Sequence, residues 1–218
     1  MKKLMLMIMT CMLVLALTAC GNNDAGSKQP AASTEDIPKS DLSESQADGS
    51  QPEEANARSL VVYFSATGNT KVVAENLAAM QDAQLYEIVP QQPYTDADLN
   101  YNDRSTRATV EQNDDAARPE ISGSIDHLEE YDVIYVGFPI WWGDMPRILY
   151  TFFDTYDLSD KTIAPFCTSG GSGISAAVQA IKELEPSATV TDGLQTSASN
   201  AADDLTQWLS DIGLAKQE

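Results

Sequence analysis

The sequence predicts a doubly wound α/β domain, a five-stranded parallel sheet with helices on both faces. Three observations predict it. Apolar runs of strand length, among them Leu60–Phe64 and Val133–Phe138, are nearly continuous, as parallel strands covered on both faces require. These runs alternate with segments whose apolar residues recur at helical spacing, the pattern of successive strand–helix crossovers. Conspicuous Gly-, Ser- or Trp-bearing loops follow the first, third and fourth strands, at the edge where such sheets hold ligands.

The first strand, Leu60-Val61-Val62-Tyr63-Phe64, is rich in β-branched and aromatic residues and too short for a buried helix. After the turn Ser65-Ala66-Thr67-Gly68-Asn69-Thr70, a helix is read from Val73, Leu77 and Met80, with Val72, Ala74 and Ala78 beside them. Leu85–Val89 reads as the second strand, ending at Pro90. A polar insertion runs from Gln91 to Gly123, with one short helix expected around Arg104–Gln112; insertions of this kind are usually functional or mobile. The third strand, Asp132–Phe138, leads into Pro139-Ile140-Trp141-Trp142-Gly143-Asp144-Met145-Pro146. Asp144 is expected to cap a helix with Pro146 in its first turn and Ile148, Leu149, Phe152 and Phe153 as its buried stripe. Thr162–Phe166 forms the fourth strand, and Pro165, which cannot donate to a ladder, is expected near its end. The loop Cys167–Gly173 opens a helix carrying Ile174, Ala177, Val178, Ile181 and Leu184. A weak strand at Ala188–Val190 and a helix from an Asn200 cap to Gly213 complete the domain.

Upstream of the domain the composition changes twice. Residues 1–20 begin Met1-Lys2-Lys3, continue apolar from Leu4 to Leu17 and close on Leu17-Thr18-Ala19-Cys20. A basic start, a short apolar region and small residues before a cut describe a secretory signal. Leu-Thr-Ala-Cys resembles the bacterial lipobox, which implies lipidation of Cys20 and an extracytoplasmic, membrane-anchored protein. Residues 21–58 have almost no large apolar side chain and are expected to be a disordered tether. Its typical reach is roughly 35 Å. The folded domain is expected at 59–218. The formal charge is -20, from 13 Lys+Arg against 33 Asp+Glu, which disfavours nucleic acid and would attract a basic partner protein.

Between its strand and its helix, the Ser65–Thr70 turn aims free N–H groups and a helix N-terminus at an anion. Hydroxyls at 65, 67 and 70 add donors, and Gly68 allows close approach. A P-loop is excluded, since no Gly-Lys-Ser/Thr follows. The remaining reading is a cradle of uncharged donors for one terminal phosphate. Cys167 is followed six positions later by Gly173 rather than by the arginine a tyrosine phosphatase needs, and it reads as a small buried hydrophobe. The third strand ends in Gly137-Phe138-Pro139 without a receiver's acidic residue. The single histidine, His127, precedes that strand at the far edge of the sheet. No residue is assigned a catalytic or metal-binding role.

From Leu60 to the C-terminus the phosphate turn, the Pro139-x-Trp141 loop and the Thr168-Ser169-Gly170-Gly171 loop together resemble the flavodoxin family, and specifically its bacterial lipoproteins. The resemblance implies strand order 2-1-3-4-5 and flavin mononucleotide (FMN) as ligand. It implies that Ser65, Ala66, Thr67, Gly68, Asn69 and Thr70 hold the phosphate, and that Pro139, Ile140, Trp141, Trp142, Gly143, Thr168, Ser169, Gly170 and Gly171 line the ring. Trp141 is the implied stacking residue, and a carbonyl near Gly143 is placed to accept from a protonated flavin nitrogen. No Lys or Arg lies within the three loops, so the implied activity is a low-potential electron carrier with a redox partner protein. The alternative is an FMN-dependent NAD(P)H oxidoreductase acting on quinones or similar acceptors. Where many flavodoxins have a second aromatic, after the fourth strand, this chain has none, and Tyr94 or Tyr101 of the insertion are the candidates to cover that face.

Overall fold

A computed structural model describes residues 57–216. The proposed leader, Cys20 and the tether up to residue 56 lie outside the described residues. The central sheet is parallel, in the order β2-β1-β5-β6-β7, with β8 beside the far half of β6. Its strands are β1 (Ser59–Tyr63), β2 (Gln84–Glu87), β5 (Val133–Pro139), β6 (Thr162–Thr168), β7 (Thr189–Val190) and β8 (Leu194–Thr196). This matches the 2-1-3-4-5 order expected for five strands.

Strand periodicity divides the core in two. Val61, Tyr63, Val133, Tyr135, Ala164 and Phe166 face helices α1 (Asn69–Gln81) and α5 (Ala201–Asp211). Their neighbours Leu60, Val62, Ile134, Val136, Ile163 and Cys167 share the other core with α3 (Arg147–Thr155) and α4 (Ser175–Leu184). Alternation by two along each strand produces this division. Gly137 shows how tight the layer is. It lies in register with Phe166, and a Cβ there would stand 2.2 Å from the ring's Cζ. Gly137→Ala is therefore expected to destabilise the domain by about 1–3 kcal/mol through overpacking. Denaturant unfolding checks this, the midpoint falling at constant m-value.

Several elements differ from the sequence expectation. The second strand stops at Glu87, and Val89–Pro90 turns away as β3 to pair antiparallel with β4 (Ile121–Ser122), closing the base of the insertion. Within the insertion, α2 (Arg107–Gln112) falls inside the expected range. Pro165 lies in the interior of β6, not near its end. The reason is local: β7 pairs with Thr162 and Ile163, β8 with Phe166 to Thr168. Thr162 donates towards β5 and the Ile163 carbonyl accepts from Thr191 on the other side, so strand alternation aims position 165 outwards, into the gap between β7 and β8. No donor is needed there. The sequence reading missed β8 altogether, since three residues of mixed polarity carry no periodicity.

Asp144 does not cap α3. Pro146 occupies the cap position with no side-chain bond, and the Asp144 carboxylate instead accepts from Met145 N–H at 2.8 Å and Tyr150 O–H at 2.7 Å. Asn200 sits at the cap of α5 without a side-chain bond, while Gly213 ends that segment at φ 73°. His127 is exposed beside the short turn Leu128–Glu130.

One carboxyl is held out of water. Glu185, 8% exposed at the end of α4, is pushed up from 4.5 to about 7 by burial, then by the carboxylates of Asp157 and Asp154. A folded-state value above the unfolded one favours the protonated, folded form, so the contribution of Glu185 to stability is fully present below about 4.5 and is lost as pH rises towards about 7. Glu185→Gln is expected to flatten that slope and raise the melting temperature at pH 8. An unaltered slope would assign the pH dependence to other groups.

Candidate functional site

Three loops leave adjacent strands at one edge of the sheet. β1 and β5 pair in register, but the chain leaves β1 towards β2 on one side and β5 towards β6 on the other, which makes this the switch in strand order. The first loop is Ser65–Thr70. Gly68 caps α1 at φ 86°, a conformation that favours glycine, and its carbonyl accepts from Val72 N–H at 3.2 Å. Lys71 N–H donates to Ser65 Oγ at 3.2 Å. The backbone N–H groups of Ala66, Thr67, Gly68, Asn69 and Thr70 donate to no acceptor among the described residues. No acidic side chain occupies the first turn of α1 to offset its positive end. Thr67 and Asn69 are exposed, with Asn69 Nδ2 donating to Thr67 Oγ1 at 3.2 Å. Thr70 is 1% exposed and its hydroxyl is bonded to that of Thr168 at 2.8 Å. The turn thus presents a row of free backbone donors with the Thr67 hydroxyl at its rim, an arrangement suited to an anion.

Pro139, Ile140, Trp141, Trp142 and Gly143 form the second loop. Trp141 and Asp144 exchange backbone bonds of 2.9 and 3.1 Å, closing a two-residue turn at Trp142 and Gly143. Both central residues have positive φ, 48° and 84°, as type I′ turns require. A bulky residue held there costs roughly 1–2 kcal/mol. The two indoles part company as adjacent residues should. Trp141 is 3% exposed, packed edge-on against Phe64 at 5.6 Å and Tyr94 at 5.1 Å. Trp142 is 44% exposed and lies 4.9 Å from Tyr101 of the insertion. Trp141, the residue the resemblance implies for stacking, is buried here, and its neighbour offers the exposed indole face.

The insertion fastens this turn from below. Gln112 Nε2 donates to the Met145 carbonyl at 3.1 Å, and Arg147 donates to the Gln112 carbonyl at 3.1 Å and to Asp115 at 2.6 Å. Arg147 also lies 4.8 Å from the centre of the Tyr150 ring. Tyr94 O–H donates to Glu111, and burial, followed by this bond, drives the phenol well above its ordinary range. Sequence periodicity had no access to these hydrogen bonds, which join residues 17 or more positions apart.

In the third loop Thr168 is buried, Ser169 half-buried, and Gly170 and Gly171 exposed. Gly171 N–H donates to Ser169 Oγ at 3.1 Å. Cys167 beneath it is fully buried, and burial pushes its thiol up to about 12, as suits an inert core residue. Charge is sparse across the site. Lys71 directly follows the first turn, but its ammonium lies 4.0 Å from Glu87, and Arg147 is engaged with Asp115.

Free backbone donors at a helix start, an exposed indole and a glycine-rich edge meet at a strand-order switch, where proteins of the doubly wound class hold ligands. A flavodoxin family model matches residues 58–212, and the chain belongs to the flavodoxin family. A solved protein of Bacteroides eggerthii, described as a candidate flavoprotein, is 40% identical, covering 72% of this chain and 98% of its own, with a TM-score of 0.66. A second, from Bacteroides uniformis, is 39% identical over 71% of this chain and 98% of its own, with a TM-score of 0.65. A Lactobacillus acidophilus flavoprotein solved in complex with FMN is 28% identical over 67% of this chain and 97% of its own, with a TM-score of 0.53. No curated protein matches the chain.

Proposed function

We propose that this protein binds FMN and serves as a low-potential electron carrier, held at the extracytoplasmic face of a membrane by lipid on Cys20. The observation that carries the cofactor reading is the run of five unengaged N–H groups, residues 66–70, at the uncompensated start of α1. Such a row suits a terminal phosphate and asks for no basic side chain. The FMN complex of the Lactobacillus acidophilus flavoprotein supports it. Residues 66–70 would hold the phosphate, Trp142 would meet the ring, and Ser169–Gly171 would approach its edge. Bound FMN supplies reversible one- and two-electron chemistry. The chain's own contribution is to hold the ring against an indole, to exclude water from the Trp141 side, and to withhold positive charge. Each ~1 kcal/mol of repulsion against added negative charge lowers a one-electron potential by about 40 mV. The tether would let the domain meet partners near the membrane, and the acidic surface favours basic ones.

One observation favours the oxidoreductase alternative. The loop after β6 has no aromatic, so one side of the ring would stay reachable by a small acceptor. The purified protein mixed with FMN, then with NADPH and a quinone, tests both readings. Expected are uptake of the yellow cofactor, two resolved one-electron steps in a reductive titration, and no steady NADPH consumption. Failure to take up flavin would overturn the cofactor reading. Sustained turnover would move the protein to the oxidoreductases.

A further inference from the structure

Thr168 ties all three loops together. Its hydroxyl shares a 2.8 Å bond with that of Thr70, in the first turn of α1 below the phosphate seat. Its carbonyl accepts from Ile140 N–H at 3.0 Å, at the root of the Trp142 turn. Its Cα lies in register with Pro139 on one side and Thr196 on the other, and it is the last residue of β6 before the Ser169–Gly171 edge. At 8% exposure it is placed beneath the site, not on it.

Two hydroxyls sharing one hydrogen bond leave one O–H free to point elsewhere. Either order is open to the pair alone, Thr168 donating to Thr70 or the reverse. An anion on the α1 seat breaks that symmetry. It favours the order in which Thr168 donates to Thr70 and the Thr70 O–H turns towards the negative charge. Hydrogen bonds aligned in this way polarise and strengthen one another. The bond also fixes the seat relative to the loop that would edge the ring, so that phosphate and ring ends are held at one separation.

We infer that Thr168 is a positioning residue that couples the phosphate seat to the ring-edge loop through Thr70, and thereby makes the site prefer a phosphorylated flavin over its nucleoside-like core. This rests on the FMN reading above and goes beyond it, since Thr168 was expected to line the ring and is here assigned to no ligand contact.

The test compares FMN with riboflavin, which has the same ring and no phosphate, on the wild type, Thr168→Val and Thr168→Ser. Val keeps the volume and removes the hydroxyl; Ser keeps the hydroxyl. Expected are an FMN dissociation constant about tenfold higher in Thr168→Val, a riboflavin constant within about twofold of wild type, and recovery of FMN affinity in Thr168→Ser. In the Thr70→Val background, Thr168→Val should have no further effect on FMN. The 31P resonance of bound FMN should move in Thr168→Val while the flavin absorption bands stay put. Equal weakening of both ligands in a folded variant would make Thr168 merely structural and overturn the coupling, as would FMN affinity unchanged in Thr168→Val. If Thr168→Val fails to fold, Thr168→Ala and the Thr70→Val arm carry the same comparison. Absence of FMN binding by the wild type would instead sink the cofactor reading itself.

Discussion

Trp141→Ala should destabilise the domain by about 3–5 kcal/mol, the usual cost of emptying a large aromatic site in a core. Trp142→Ala should leave stability nearly unchanged and weaken FMN by about 1–3 kcal/mol, the scale of aromatic stacking on a base. The two residues are adjacent and chemically identical, so the contrast isolates placement. Trp141 is 3% exposed and braced by Phe64 and Tyr94, whereas Trp142 projects from a two-residue turn with only Tyr101 beside it. Thermal melts of the flavin-free variants and fluorescence titrations with FMN measure the two quantities. A stable Trp141→Ala that has lost FMN, beside a Trp142→Ala that binds normally, would exchange the roles. A third variant sharpens the point: Trp142→Gly relieves the left-handed backbone and removes the indole together, so it should bind FMN weakly while melting higher than Trp142→Ala.

This pair also shows where sequence reasoning reached and where it stopped. The sheet was legible because β1, β5 and β6 are buried on both faces and so read as unbroken apolar runs. The seat was legible because hydroxyls, a glycine and a following helix sit within six consecutive residues. Adjacent residues leaving a strand point opposite ways, so Trp141 and Trp142 cannot easily both be core. Alternation could not say which is, because the answer depends on Phe64 from β1's end and Tyr94 from the insertion, 77 and 47 positions before Trp141. The same holds for Thr70 and Thr168, 98 positions apart, where an expected phosphate donor and an expected ring-lining residue bond to each other. Pro165 misled for a related reason: a proline is barred from a ladder only where a neighbour needs its N–H, and the outer neighbour is interrupted at that level. Local chemistry was readable, and pairings across the sheet edge were not.

Thr67→Asp puts the seat itself to the sharpest trial, because its two effects have opposite signs. Thr67 is exposed, immediately before the Gly68 cap, beside the unengaged N–H groups of residues 66–70. In the flavin-free protein a carboxylate there meets the positive end of α1, which has no acidic residue of its own in the first turn. Stability should rise by about 0.3–1 kcal/mol, and most at low ionic strength. The same carboxylate would stand where a phosphate dianion must sit, and like charges brought together at a binding surface cost several kcal/mol. FMN affinity should therefore fall by about 100-fold or more, at roughly 1.4 kcal/mol for each factor of ten. Riboflavin, which brings no charge to the seat, should bind Thr67→Asp as it binds the wild type. Thr67→Asn, nearly isosteric and uncharged, should fall between the two. Calorimetric titration with both ligands, paired with melts at two salt concentrations, reads all of these at once. A variant that melts higher yet keeps its full affinity for FMN would mean that the helix end is electropositive but not where the phosphate rests.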